Sequence, residues 1–254
     1  MKKITLILFL LSISVTAQKT INAYDIMSDI KNGKKIAYQN ATIIGTLDFT
    51  FMEDALPNLP KKKRWWNNGG SNVIKKEIES SIEFINCTFK DNVLAYIPDE
   101  DSGYTFTADF ENDVIFKNCT FKSKAMFKYS DFEQTANFKG SKFEDDSTFK
   151  YAKFDKVTSF SNTIFNNSAT FKYAKFKRDV TFTEALFKDS TTFKYAKFYD
   201  GVSFKSTRFE EDLNLKYAEV SGTFDITNMK VAYEIDSKYT KINGESFNKY
   251  LIHK

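Results

Sequence analysis

The sequence predicts an all-β fold: a four-sided parallel β-helix of about 22 residues per coil, closed by short helices at both ends. Three observations carry this. "TFKYAKF" stands at 148–154 and returns unchanged at 170–176 and 192–198, with looser copies at 126–132 ("MFKYSDF") and 214–220 ("NLKYAEV"). From Phe116 to Phe209, 18 Phe follow one another at spacings that alternate between 5 and 6. The position two before each of them, from Val114 through Cys119 and Ala125 to Thr207, is always small or β-branched.

Each observation removes an alternative. On a helix, steps of 5 and 6 residues turn about 140° and 240°, which scatters the Phe around the axis. On a strand, residues two apart share a face, so each small–x–Phe triplet is a short strand with one inward side. A continuous strand fails at every step of 5, which would reverse the face, so a bend must separate successive Phe. Four such units fill the interval between exact copies, as from Phe149 to Phe171. Like residues then stack above like, about 4.8 Å apart. Three units fall short of that interval and would put unlike residues in register. The composition agrees, because 27 Phe in 254 residues cannot all face water.

The unit, a small residue, any residue, Phe or Leu and then two more, resembles that of the pentapeptide-repeat family. The resemblance covers about 106–220 and reaches back to Phe84. It implies a right-handed quadrilateral β-helix. This chain departs from the pattern in that every second unit has six residues, so alternate corners are expected to be looser. Left-handed hexapeptide helices need runs of sixes, which are absent.

Along the chain, residues 1–17 read as a signal peptide. Lys2 and Lys3 precede the apolar "ITLILFLLSISV", too short for a comfortable membrane span, and Val15-Thr16-Ala17 is a small-residue cleavage site. The mature chain is expected to start at Gln18, exported to the periplasm, the cell surface or the medium. No Cys follows the site, which argues against a lipid anchor, and no second long apolar run suggests a transmembrane segment. Residues 18–40 form an N-terminal cap, with a helix in "NAYDIMSDIKNG" that Asn22 can start and Gly33 can stop. The solenoid spans 41–226, with "ATIIGTLDF" (41–49) as its first coil. Excursions interrupt it at about 53–72, where Pro, Gly and a charge run break the pattern, and at about 95–105. The second explains why Phe84 and Phe116 lie further apart than one period. Residues 227–254 hold the last coil and a C-terminal capping helix.

Charge excludes some functions. Without residues 1–17 the chain carries 35 basic against 33 acidic residues, a balance of +2 with no global pull toward nucleic acid or anionic membrane. The resemblance implies one candidate activity, topoisomerase-directed DNA mimicry, which needs clustered negative charge. Residues 106–220 instead hold 19 Lys/Arg against 17 Asp/Glu. Nucleic acid is therefore an unfavoured partner. Catalysis is not expected either: the single His is the penultimate His253, the acids fall mostly in corners, and no metal, nucleophile or phosphate-loop spacing is present. No cofactor is expected.

Three features remain. Cys87 ("FINCTF") and Cys119 ("FKNCTF") fall in the same inward slot of adjacent coils, as stacked thiols or as a disulfide that export would permit. Lys61, Lys62, Lys63, Arg64, Trp65 and Trp66 put bases beside aromatics, as an interfacial or stacking tip or, more simply, with both Trp folded back over an early coil. Tyr129, Tyr151, Tyr173, Tyr195 and Tyr217 share one position and form an exposed ladder, each beside a Lys. Such a ladder packs neighbouring coils together, the simpler reading; it can also offer rings to a glycan or a cation. The chain is thus expected to be a non-enzymatic binding or scaffold module, with a protein or an envelope polysaccharide as its partner.

Overall fold

The computed structural model describes residues 19–61 and 72–252. The expected signal peptide, His253 and most of the loop patch (Lys62, Lys63, Arg64, Trp65 and Trp66) lie outside the described residues. Lys61 is described and exposed.

Short parallel strands stack into four sheets, one per side of the coil. In one representative turn, Val114–Lys117 lies on the first side and Thr120–Phe121 on the second. Ala125–Met126 follows on the third and Asp131–Phe132 on the fourth. Among the described residues these sides hold eight, nine, eight and ten strands. The register equals the sequence period wherever the repeat is unbroken: Phe121 aligns with Phe143, Phe132 with Phe154 and Ala136 with Thr158. The molecule is a right-handed quadrilateral solenoid with small terminal helices.

All 18 Phe of the regular stretch are at most 2% exposed, and so are the small residues two before them. Each column of rings stacks face to face. Along the second side, Phe121, Phe143, Phe165, Phe187 and Phe209 sit 4.5–4.9 Å apart with planes within 7°. Columns from facing sides meet edge to face, as Phe149 does with Phe160 at 5.1 Å and 78°. The small slots leave room for that interdigitation. Burying each Phe contributes about 1.5–3 kcal/mol, so the core is one ordered stack of aromatic rings.

The five-residue steps make two diagonally opposite corners, and both are closed tight turns. The Phe carbonyl accepts from the amide three residues on, for example Phe149 from Ala152 at 3.0 Å and Phe204 from Thr207 at 3.0 Å. The third turn residue has positive φ every time, the signature of a type II turn. On one corner this residue is Asn118, Gly140, Asn162, Glu184, Ser206 or Asn228, mostly types that tolerate that conformation. The six-residue steps are wider and are tied from coil to coil instead, as where the Ala125 amide donates to the Asp146 carbonyl at 3.1 Å.

The ends are built from the non-repeating segments. Ahead of the expected first coil, Lys19–Asn22 pairs in parallel with Ala41–Ile44, so the coiling starts earlier than the sequence suggested. The helix Ala23–Lys31 follows, capped by the Asn22 side chain, which accepts from the Tyr24 amide at 2.9 Å. The second excursion is an antiparallel hairpin: Tyr96–Asp99 pairs with the start of the long strand Tyr104–Phe110, which also pairs in parallel with Val73–Ile78. The Tyr104 hydroxyl donates to the Pro60 carbonyl and so ties the two excursions together. At the other end, Phe247 of the helix Phe247–Ile252 meets Phe224 edge-on, and the Tyr250 hydroxyl donates to the Phe224 carbonyl at 2.8 Å.

Candidate functional site

The corner opposite the Asn and Gly column is occupied by tyrosine. Tyr129, Tyr151, Tyr173, Tyr195 and Tyr217 all take the left-handed turn position, with φ between +60° and +66°. Tyr239, at φ +63°, continues the column as a sixth rung. Centroids of successive rings are 4.6–4.9 Å apart, and from Tyr151 to Tyr217 the planes lie within 3° of parallel. Tyr96, from the hairpin, tilts over the N-terminal end of the stack, 5.9 Å from Tyr129. Coil-to-coil backbone bonds run through the corner, as the Tyr151 amide donates to the Lys172 carbonyl at 3.0 Å.

Two details differ from the sequence expectation. The ladder is not uniformly exposed: Tyr129 (44%) and Tyr239 (58%) are open, whereas the four inner rings are half-buried by their neighbours. The ring faces are spent on each other, so the corner shows solvent the ring edges and hydroxyls. The ladder is also longer than expected. Tyr239 was legible, since it follows Tyr217 at the interval that separates Tyr217 from Tyr195, but it lies beyond the Phe series, which ends at Phe209. Tyr96 belongs to the inserted hairpin and follows no period.

Beside each Tyr stands a Lys. The ammonium of Lys128, Lys150, Lys172, Lys194, Lys216 or Lys238 lies 4.9–5.9 Å from the centroid of the following ring, in cation–π range. Lys128 also donates to the Tyr96 hydroxyl at 2.9 Å. Among the described residues none of these six lysines forms an ion pair. On the adjoining side of the solenoid lysines do: Lys153 with Asp131 at 2.6 Å, Lys177 with Asp155 at 2.8 Å and Lys197 with Glu219 at 3.1 Å. The corner is therefore a column of uncompensated positive charge. Burial, and then the like charges of Lys128 and Lys172, hold the Lys150 ammonium below the ordinary lysine value. Burial, and then Tyr151 and Tyr195, hold the Tyr173 phenol above its ordinary value, so it stays a donor at neutral pH.

Cys87 and Cys119 occupy the same inward slot of adjacent coils, as the alignments of Phe84 with Phe116 and Thr88 with Thr120 require. Both are buried thiols. They belong to a column of inward donors: Cys119 donates to the Phe84 carbonyl at 3.3 Å, Ser141 to Phe116 at 2.6 Å, Thr163 to Phe138 at 3.0 Å and Thr207 to Phe182 at 2.7 Å. Cys87 makes the corresponding contact to the Tyr38 carbonyl at 3.6 Å. Burial pushes the Cys119 thiol up, which keeps it protonated in this role.

Residues 107–153, 138–186 and 149–197 match the family model for pentapeptide repeats (9 copies). No curated protein matches the chain, and neither does any solved structure. The matched stretch, residues 107–197, carries pentapeptide repeats, and the four-sided coil continues beyond it at both ends.

Proposed function

We propose that the chain is an exported, non-enzymatic member of the pentapeptide-repeat proteins, with alternating five- and six-residue units, that works as a rigid binding module. Its binding face is the tyrosine and lysine corner. The observation that carries this is the set of six unpaired lysines in a single file beside a rigid aromatic stack. Exposed lysines that serve only solubility need no register. These repel one another, and the adjoining side shows that coil-to-coil ion pairs are available to this fold. A column left uncompensated is suited to a partner that brings the opposite charge. The family supports a module of this sort through its repeat architecture. Export is supported by the short apolar run and small-residue site before Gln18.

The test is affinity capture from a cell-envelope fraction. The full chain is compared with a variant in which Lys150, Lys172 and Lys194 are all changed to Gln. Material retained by the native chain and lost from the variant supports the reading. Equal retention by both overturns it.

A further inference from the structure

Resting on that reading, we infer that the corner recognises a linear acidic polysaccharide with one carboxylate per sugar, lying along the solenoid axis beside the tyrosine stack.

The exposed chemistry selects an anion. A ligand stacking on aromatic faces needs open faces, and five successive ring gaps of 4.6–4.9 Å leave none between Tyr129 and Tyr239. What remains is ring edge, the positive rim of the quadrupole, together with phenol hydroxyls. Beside them are ammonium groups, which can only donate. Edges, hydroxyls and ammoniums together favour carboxylate oxygens over neutral sugar faces.

The geometry selects among polyanions. Six rungs at one strand spacing make a stripe of roughly 24 Å, too long for a small anion to fill. An extended acidic peptide puts same-side carboxylates about 7 Å apart, out of step with the lysines after one or two coils. A chain of uronic acids carries one carboxylate on every pyranose ring, and rings whose carboxylates turn away from the lysines present hydroxyls to the phenols instead, so the whole stripe finds polar partners. At its N-terminal end the stripe opens into a cleft of about 840 Å³ bordered by Tyr129, Tyr151, Lys153, Thr105 and Thr107. Thr107 is 2% exposed and its hydroxyl has no hydrogen-bond partner among the described residues. A cleft of that breadth accommodates sugar rings more readily than an extended side chain.

The full chain is titrated with polygalacturonate as probe, with neutral dextran and polyglutamate as comparisons, at low and high salt. Two variants accompany it. One is the Lys150, Lys172 and Lys194→Gln triple; the other is Tyr151, Tyr173 and Tyr195→Phe, which keeps the ring stack and removes three hydroxyls. The expected result is polygalacturonate binding that falls with salt, weakens about tenfold or more in the Gln triple and weakens measurably in the Phe triple. No polygalacturonate binding, or binding that neither variant changes, overturns the inference. Preference for dextran, or for polyglutamate, also overturns it while leaving a binding module in place. The binding reading itself fails only if the envelope capture is indifferent to the lysines. Should the Gln triple not fold, the Phe triple and the salt series still decide.

Discussion

Tyr151 and Tyr173 lie face to face, ring centroids 4.6 Å apart and planes 1° from parallel, although both backbones are left-handed at φ +62° and +61°. Side chains with a Cβ adopt that region at a cost of about 1–3 kcal/mol per residue. A stacked aromatic pair returns about 0.5–1.5 kcal/mol, and an inner rung has two such pairs. The two effects nearly cancel, so the ladder adds order to the corner and little net stability.

That balance is testable at one rung. Asn tolerates the left-handed region and already occupies the opposite corner at Asn118 and Asn162. Tyr173→Asn should therefore stay within about 1 kcal/mol of the native chain in denaturant unfolding. Tyr173→Val keeps the strain, worsens it by β-branching and loses both stacks, and should cost about 2–3 kcal/mol more. Equal costs for the two would show that backbone conformation is not what the corner resists.

The coil register was legible because two constraints, an inward Phe and a small partner two residues before it, repeat without a gap. The Asn and Gly corner was legible in principle too, since such residues mark positive φ. Tyr hid the same turn on the other corner, because nothing in its usual preferences points there. The hairpin at Tyr96–Asp99 and the strand Lys19–Asn22 follow no period, so the sequence showed only that something interrupts or precedes the repeat. The unpaired state of the lysines was not legible at all. It depends on which acids come within reach after coiling: Asp131 finds Lys153, and no carboxylate among the described residues finds Lys150.

Phe171 and Lys172 are adjacent and should behave oppositely. Phe171 is fully buried between Phe149 and Phe193, with centroids at 5.1 and 4.8 Å. Phe171→Ala leaves a cavity that a rigid stack closes poorly, and should cost about 3–5 kcal/mol. Lys172→Ala removes a charge from a like-charged file and should fall within about 0.5 kcal/mol of native. Chemical denaturation of both variants measures the difference; similar values would contradict the inward assignment.

Cys119 shares a column with Ser141, Thr163 and Thr207, each donating inward to a carbonyl of the coil before. Cys119→Thr preserves that donor in a slot where the coil already accepts Thr, and should change stability by less than about 1.5 kcal/mol. Cys119→Leu removes the donor and overfills the slot, at about 1–3 kcal/mol or more. Thermal unfolding under reducing conditions compares the two, and a Thr variant as damaged as the Leu variant would rule out the donor role.

Processing follows from the export proposal. N-terminal sequencing of the protein recovered from outside the cytoplasm should begin at Gln18, after Val15-Thr16-Ala17. Recovery of intact Met1 there, or of the protein only from the cytoplasm, would remove export from the proposal and leave the binding face to be tested against cytoplasmic polyanions.

The ladder should also shape stability at alkaline pH, through two groups of opposite sign. Lys150 releases its proton more readily in the folded chain than in the unfolded one, because burial and then Lys128 and Lys172 disfavour its charge. Its charge therefore costs stability at neutral pH, and that loss is recovered as pH rises from the depressed folded value toward 10.5. Tyr173 holds its proton more tightly when folded, because burial and then Tyr151 and Tyr195 disfavour the phenolate. Its contribution is present below 10.0 and is lost as pH climbs through the higher folded value. Melting temperature against pH should thus rise on approaching this range and fall beyond it. In the Lys150, Lys172 and Lys194→Gln variant the rise should shrink and the fall should remain, while added salt raises the native chain's neutral-pH stability more than the variant's. Phenolate absorbance tracks the second limb directly: a folded titration that ends no later than the unfolded one would show that the stacked rings do not shelter Tyr173.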